Sequence, residues 1–288
     1  MRISYTTVDL SRRFGEAGAI RALAAAGFDA FDMAFMDLSS PMFGEGWRQH
    51  TAHLAETARR AGIVCNQAHA PYPTHRAETE ENRPYNDRIL DHVLRSMEAA
   101  AMLGAPCIVV HPWHHRPYAE NAEVLFSENM EFYRSLAPYA KAFGIRIAIE
   151  NMWQRRDGRS GPIVDSVCAP PKELARYLDA LGDSVFTACL DLGHCGLCGH
   201  DGAEAIRTLG GRLGALHVHD NDGISDRHVL PGEGRANWES ILQALSDVGY
   251  RGDFTFEAHG FTSPLPDGEI PDALVRMRTL GQAMAARL

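Results

Sequence analysis

A single (β/α)8 barrel, with residues 1–288 forming one domain, is the architecture this sequence predicts. Short apolar runs alternate with longer amphipathic ones along the chain, the pattern of a parallel sheet with helical crossovers. Eight such pairs fit into 288 residues at about 36 residues each, the scale of a strand–helix repeat. Glycines stand just ahead of strand-like sequence at Gly27, Gly62, Gly104, Gly144, Gly214 and Gly252, as expected where a helix stops and the chain turns back. An open doubly wound sheet shares the alternation. It wants a glycine-rich phosphate loop after its first strand, and Thr6-Thr7-Val8-Asp9 is not one.

In chain order, Met1-Arg2-Ile3-Ser4-Tyr5 opens directly in strand-like sequence, and residues 16–26 carry the first helical periodicity. A second strand ends near Met33, followed by a helix over 47–61. Ile63 to His69 forms the third strand, with a helix over 86–103, and Ile108 to His111 the fourth, with a helix over 126–143. The fifth runs Ile145 to Glu150, before a helix over 171–181, and the sixth Thr187 to Asp191, before a helix over 203–209. The seventh ends near His219 and the eighth at Glu257, with helices over 238–248 and 271–286. Residues 70–83, 153–169 and 221–237 read as irregular, and all three stretches follow strands, where a barrel carries its functional loops. No Pro/Ser-rich linker or low-complexity tract divides the chain.

Composition narrows the function classes. With 45% hydrophobic and 23% charged residues this is an ordinary soluble globular chain. No apolar run approaches the roughly 20 residues of a bilayer span, and no secretory segment opens the sequence, so a cytoplasmic location is expected. The net charge of −9 advertises no broad cationic face, so nucleic acid is not an expected partner. The two lysines, Lys141 and Lys172, are expected on the side of the barrel away from the mouth, which argues against Schiff-base chemistry. The six cysteines sit mostly among apolar neighbours and read as structural thiols; Cys195-Gly-Leu-Cys198 lacks the second pair a zinc ribbon needs.

The informative residues are those that end the strands. His69, His111, Glu150, Asp191, His217 and Glu257 are polar ends on six successive apolar strands, and His194 follows Asp191 closely. Burying a charge without a partner is costly. In a barrel these positions converge above the core, where mixed oxygen and imidazole donors make a ligand set for Mn, Co, Zn or Fe rather than a sulfur-rich structural site. The expected cofactor is therefore a divalent metal: Mn, Co, Zn, or Mg/Fe.

Ala148-Ile-Glu150-Asn, Leu190-Asp191-Leu-Gly-His194, His217-Val-His219-Asp-Asn-Asp and Phe256-Glu257 resemble the xylose-isomerase-like barrel superfamily, in its sugar phosphate isomerase/epimerase branch. The resemblance spans His69 to Glu257. It implies one metal held by Glu150, Asp191, His217 and Glu257, with Glu150 and Glu257 also the catalytic acid–base pair, and His194 at a substrate-contacting position. It also implies a small-molecule sugar or polyol substrate and a homodimer or homotetramer. Asp226-Arg-His228-Val-Leu-Pro-Gly-Glu-Gly resembles a stretch shared with endonuclease IV, a related barrel with three zinc ions that cuts DNA at abasic sites. That second likeness makes His69, His111, His194, Asp226 and His228 candidates for a second metal or for substrate binding. The surroundings of His194 and His217 depart from the endonuclease, and lysine-rich DNA loops are lacking.

Of the remaining residues, Trp113, Trp153 and Phe35 follow strand ends and are expected to offer an apolar wall to a sugar face, or else to sit under loops. Arg227 and Arg155 are expected to meet a phosphate or carboxylate. His219 is expected to point away from the mouth or into the layer below, and Asp220 and Asn221 to orient the ligands. His114, His115, His200 and His259 read as loop or helix residues, with His259 the one near the site. The reaction class implied is proton transfer beside a carbonyl through a metal-stabilised enediolate, by an isomerase or epimerase. The alternatives are dehydration of a keto-inositol or keto-acid by the same parts, a multi-zinc abasic-site nuclease, and a barrel that binds a ligand without turnover.

Overall fold

The structure is a computed structural model that describes residues 1–158 and 160–288. Its strands are β1 (Ile3–Thr6), β2 (Ala30–Ala34), β3 (Val64–His69), β4 (Cys107–Val110), β5 (Arg146–Glu150), β6 (Trp153–Arg155), β7 (Ile163–Asp165), β8 (Phe186–Asp191), β9 (Leu213–His217) and β10 (Phe254–Phe256). Its helices are α1 (Val8–Ala25), α2 (Trp47–Ala61), α3 (Arg83–Met102), α4 (Tyr118–Phe143), α5 (Pro171–Leu181), α6 (Leu192–Leu197), α7 (Gly202–Leu209), α8 (Trp238–Asp247), α9 (His259–Thr262) and α10 (Ile270–Ala285). Eight strands form one parallel sheet in the order β10-β1-β2-β3-β4-β5-β8-β9. A parallel bridge between Val218 and Phe256 joins its two ends, closing the predicted (β/α)8 barrel.

Side-chain alternation explains the layers. Ile108 and Val110, Ile147 and Ile149, and Leu190 and Leu216 face outward into the large core under the helices. Cys107, Val109, Ala148, Cys189 and Ala215 form a separate small cluster inside the barrel. Continuing the inward set by two residues along each strand leads from Val109 to His111, Ala148 to Glu150, Cys189 to Asp191, and Ala215 to His217. Small side chains thus fill the narrow interior, and the polar ends crown it.

Four of the predicted glycine stops hold: Gly27, Gly62, Gly104 and Gly144 all take positive φ. Gly214 and Gly252 do not. Gly214 lies within β9, where a Cβ would fall 2.2 Å from Thr187 Oγ1, and a Cβ on Gly252 would fall 2.2 Å from the Tyr250 hydroxyl. Both serve close packing; the turns after α7 and α8 fall to Gly210 and Gly249. The first helix starts at Val8 rather than Glu16, with non-helical Gly15 interrupting it, so periodicity alone exposed only its second half. Within 153–169, β6 and β7 pair as an antiparallel hairpin where irregular chain was expected. Lys141 pairs with Asp183 at the base of the barrel, as expected. Lys172 instead opens α5, at the end of that helix nearest the mouth, and points to solvent. All six cysteines are free thiols. No helix among the described residues is long and apolar enough to cross a membrane.

Candidate metal centre

Among the described residues the strand ends and the loops after them meet as four clusters, three of which share members: Glu150, Asp191, His217 and Glu257; His69, His111 and Glu150; and His69, His217 and Glu257. Glu150, Asp191, His217 and Glu257 form the central one: each offers a ligand atom within 4.8 Å of all the others, and all four are buried. His217 Nδ1 lies 3.3 Å from Glu150 Oε1, 3.3 Å from Glu257 Oε2 and 3.7 Å from Asp191 Oδ2. A second cluster is His69, His111 and Glu150; the two imidazole Nε2 atoms lie 3.4 and 3.0 Å from Glu150 Oε2 and 3.1 Å from each other. The separate cluster is His194, His219, Asp226 and His228, with Asp226 Oδ2 at 3.5 Å from His194 Nε2 and 3.1 Å from His228 Nε2. No cysteine joins a cluster among the described residues.

Hydrogen bonds to the backbone orient three of these rings. His69 Nδ1 donates to the Ala70 carbonyl at 2.8 Å, His194 Nδ1 to the Asn151 carbonyl at 2.9 Å, and His228 Nδ1 to the Glu257 carbonyl at 2.6 Å. In this tautomer each Nε2 lone pair is aimed into the site, as in a metal-binding imidazole whose other nitrogen donates to a backbone carbonyl. Asn151 does more: its side chain bridges the Asp191 backbone at both N–H and carbonyl, locking the end of β5 to the end of β8. Asp191 in turn caps α6 by accepting from His194 N–H at 2.6 Å, which fixes the turn that carries His194. The sequence reading missed Asn151, although it follows Glu150 directly.

Electrostatics follow from this crowding. Burial favours the neutral acid at Glu150, but His217 and His111 overcome it and hold the carboxyl well below its usual range. Burial is likewise outweighed at Asp191 by His194 and His219, and at Glu257 by His217 and His228. Burial disfavours the cationic ring at His228, yet Asp226 raises it to about 9. The acids are ionised and therefore able to bind a cation or accept a proton.

Above the clusters opens a cavity of about 1200 Å³, lined by His69, His111, Glu150, His194, Asp226, His228 and Glu257 at its floor. Trp153 lines it as expected, and its indole N–H donates to Asp226 at 3.2 Å. Trp113 does not: β4 ends at Val110, and the next turn carries Trp113 behind the wall. There Asn129 holds its backbone N–H at 2.6 Å and its carbonyl at 2.9 Å, and His75 stacks on it at 4.0 Å. Phe35 is in the core at 2% exposure. Arg227 points to solvent, because His228 takes a φ of 47° and turns its own ring inward instead. Arg155 lines the cavity, joined by Arg12, Arg116 and Arg156, which spacing alone did not single out. His259 lines it as expected, but so do His114 and His115; His200 bonds to Asp165 at 2.9 Å.

Two orienting roles need correction. His219 points into the site, with Nε2 at 2.9 and 3.0 Å from the two Asp191 oxygens, because residues two apart on an extended chain share a face. Asp220 accepts from the backbone of Asn221, Gly232, Arg235 and Ala236 and from Trp238 Nε1, so it organises the loop rather than the ligands. Asn221 braces the Gly193 carbonyl at 2.8 Å.

Residues 20–280 match the family described as a xylose isomerase-like TIM barrel. Among curated proteins, the chain is 28% identical over 237 residues to an uncharacterised protein of Mycobacterium leprae, covering 75% of this chain and 76% of that one. It is 24% identical over 262 residues to a D-psicose 3-epimerase of Agrobacterium fabrum, covering 88% of this chain and 82% of that one. Among solved structures, a D-tagatose 3-epimerase-like protein superposes with a TM-score of 0.77 at 19% identity, covering 99% of this chain and 97% of the other. A 3-keto-D-glucoside 4-epimerase from E. coli gives 0.72 at 18% identity, covering 97% and 99%.

Proposed function

The chain belongs to the xylose isomerase-like TIM barrel family, and from its site we propose that it is a divalent-metal-dependent epimerase or isomerase of a sugar, sugar phosphate or keto-polyol. The observation that carries this reading is the buried quartet Glu150, Asp191, His217 and Glu257, whose ligand atoms lie within 4.8 Å of one another. Donors spaced about 3–4 Å apart suit bonds of about 2.0–2.2 Å to a shared ion. Glu150 Oε2 is buried 3.0 Å from His111 Nε2 and 3.4 Å from His69 Nε2 without a well-aligned hydrogen bond among the described residues, a cost that a cation would remove. Three carboxylates and one imidazole suit Mn, Co, Zn or Fe, with Mg the harder alternative.

Such an ion supplies Lewis-acid polarisation of a substrate carbonyl and its neighbouring hydroxyl. The chain supplies the proton transfer. Glu150 ends β5 and Glu257 follows β10, on opposite sides of the mouth, and both carboxyls are held ionised. One carboxylate takes the proton from the carbon beside the carbonyl; the other, having first taken a proton from solvent, delivers it to the opposite face, which inverts that centre and leaves the two groups with their protonation states exchanged. Return by the same carboxylate to the neighbouring carbon gives an aldose–ketose exchange. The names of the epimerases that resemble this chain support the reading. Arg12, Arg116, Arg155 and Arg156 around the cavity favour a substrate that carries a phosphate or carboxylate.

Two of the other clusters favour a second reading. His69, His111 and Glu150, and His194, Asp226 and His228, are spaced to hold further ions. A three-ion site would suit water activation and hydrolysis of a phosphodiester at an abasic site. Elemental analysis together with solvent-deuterium exchange tests the choice. One or two ions per chain, with deuterium entering a ketose or its phosphate, is the expected result. Three zincs with cleavage of an abasic oligonucleotide, and no exchange across a panel of ketoses, inososes and their phosphates, would overturn the proposal.

A further inference from the structure

Asp32 lies in the middle of β2, inside the barrel, and is 0% exposed. Among the described residues neither of its carboxylate oxygens has a well-formed hydrogen bond. Gln67, its register partner on β3, sits beside it, but Gln67 Nε2 is also unpartnered. A fully buried carboxylate without a well-formed hydrogen bond is costly and calls for a compensating task. The one ring that faces it is His217, whose Nε2 lies 4.0 Å from Asp32 Oδ2 and is itself unpartnered.

The two nitrogens of His217 are thereby divided. Nδ1 faces Glu150, Asp191 and Glu257, while Nε2 is the nitrogen that approaches Asp32. We propose that Asp32 is a positioning residue that accepts the Nε2–H of His217 and commits Nδ1 to the cation. Closing 4.0 Å to hydrogen-bond length takes a movement of about 1 Å by a ring whose other side is drawn toward an ion, or a single bridging water. The arrangement differs from that of His69, His194 and His228, each of which spends Nδ1–H on a backbone carbonyl and points Nε2 inward. A carboxylate partner raises the basicity of the imidazole more than a carbonyl does, which strengthens the ligand bond. Asp32 also adds a negative charge beneath a site that is to hold a dication, although it contributes no ligand atom.

The inference rests on the proposed metal centre, so the test separates the two. Metal-free wild-type protein is titrated with Co(II), following affinity by calorimetry and the visible cobalt spectrum, alongside Asp32→Asn and Asp32→Leu. Affinity is expected to fall about 10- to 100-fold in both variants, with an altered cobalt spectrum, while the melting temperature of the metal-free variants stays level or rises. Should Asp32→Leu fail to fold, Asp32→Asn decides alone, because it keeps size and shape. Unchanged affinity and spectrum in Asp32→Asn would overturn the role of Asp32 and leave the metal centre standing. Absence of cobalt binding by the wild type would overturn the metal centre itself, and this role with it.

Discussion

His228→Gln in the metal-free protein is expected to flatten the loss of stability between pH 6.5 and 9.5. His228 bonds Asp226 at 3.1 Å, and their side chains are only 10% and 19% exposed. Burial opposes the cationic ring, Asp226 outweighs it, and the imidazole rises from 6.5 to about 9. At about 1.4 kcal/mol for each tenfold change, that rise corresponds to about 3 kcal/mol. Because the folded value lies above the unfolded one, the contribution is complete below pH 6.5 and is lost as pH climbs through about 9. Asp226 serves His194 as well, and Glu257 and Asp191 add to its pull on His228, so the contribution of about 3 kcal/mol belongs to His228 in this acidic surrounding rather than to one pair. Unfolding entropies of about 2 cal/mol/K per residue make 3 kcal/mol worth about 5 °C for a chain this long. Scanning calorimetry of chelator-treated wild type and variant across this range supplies the comparison, and subtraction removes the other alkaline titrations. With a divalent ion restored, the wild-type trend should reverse, since the ion competes with protons for the same imidazoles. Parallel curves for the two metal-free proteins would refute the reasoning.

Glu257→Gln should cut ketose turnover and solvent-deuterium exchange by about 10²–10⁴-fold, the range for losing a general acid–base group; full activity would remove Glu257 from the proton path. Gly193→Ala would put a Cβ 1.9 Å from His219 Cε1, so a loss of about 1–3 kcal/mol and weakened metal binding are expected, read by denaturant melts and cobalt titration. Arg156→Ala and Arg12→Ala should raise KM about tenfold for a phosphorylated substrate while leaving its unphosphorylated counterpart little changed, because each removes one charge-assisted contact. Equal effects on both substrates would speak against an anion at the rim.

The barrel and its crown of polar strand ends were legible because the sequence placed an expensive residue where an apolar strand had no other use for it; the choice of four among them came from the family resemblance. Glu150 after Ile147-Ala-Ile149, and His217 after Ala215-Leu216, break a strictly apolar pattern at its last position. Asp32 escaped notice for the opposite reason. It sits within β2 between Phe31 and Met33, and only the pleat reveals that it faces inward with Ala30 and Ala34. His219 was misassigned through the strand period itself, which puts it on the same side as His217. Trp113 and Arg227 lay beyond strand ends, where backbone turns decide direction: Asn129 bonding on one, a positive φ at the next residue on the other. Neither signal can be read from spacing. The cationic rim was partly hidden for a similar reason, since Arg12 and Arg156 come from segments 144 residues apart.

The bridge between Val218 and Phe256 gives the cylinder an unequal circumference. Every other neighbouring pair of barrel strands shares at least two registered positions, while β9 and β10 meet through one. His217 and Glu257 lie directly beside that seam, one on each lip. An ion gripped by both would rivet the lips together, so amide protons near Val218 and Thr255 should exchange with solvent more slowly once the ion is loaded. Closure of the fold and assembly of the reactive centre would then be a single event.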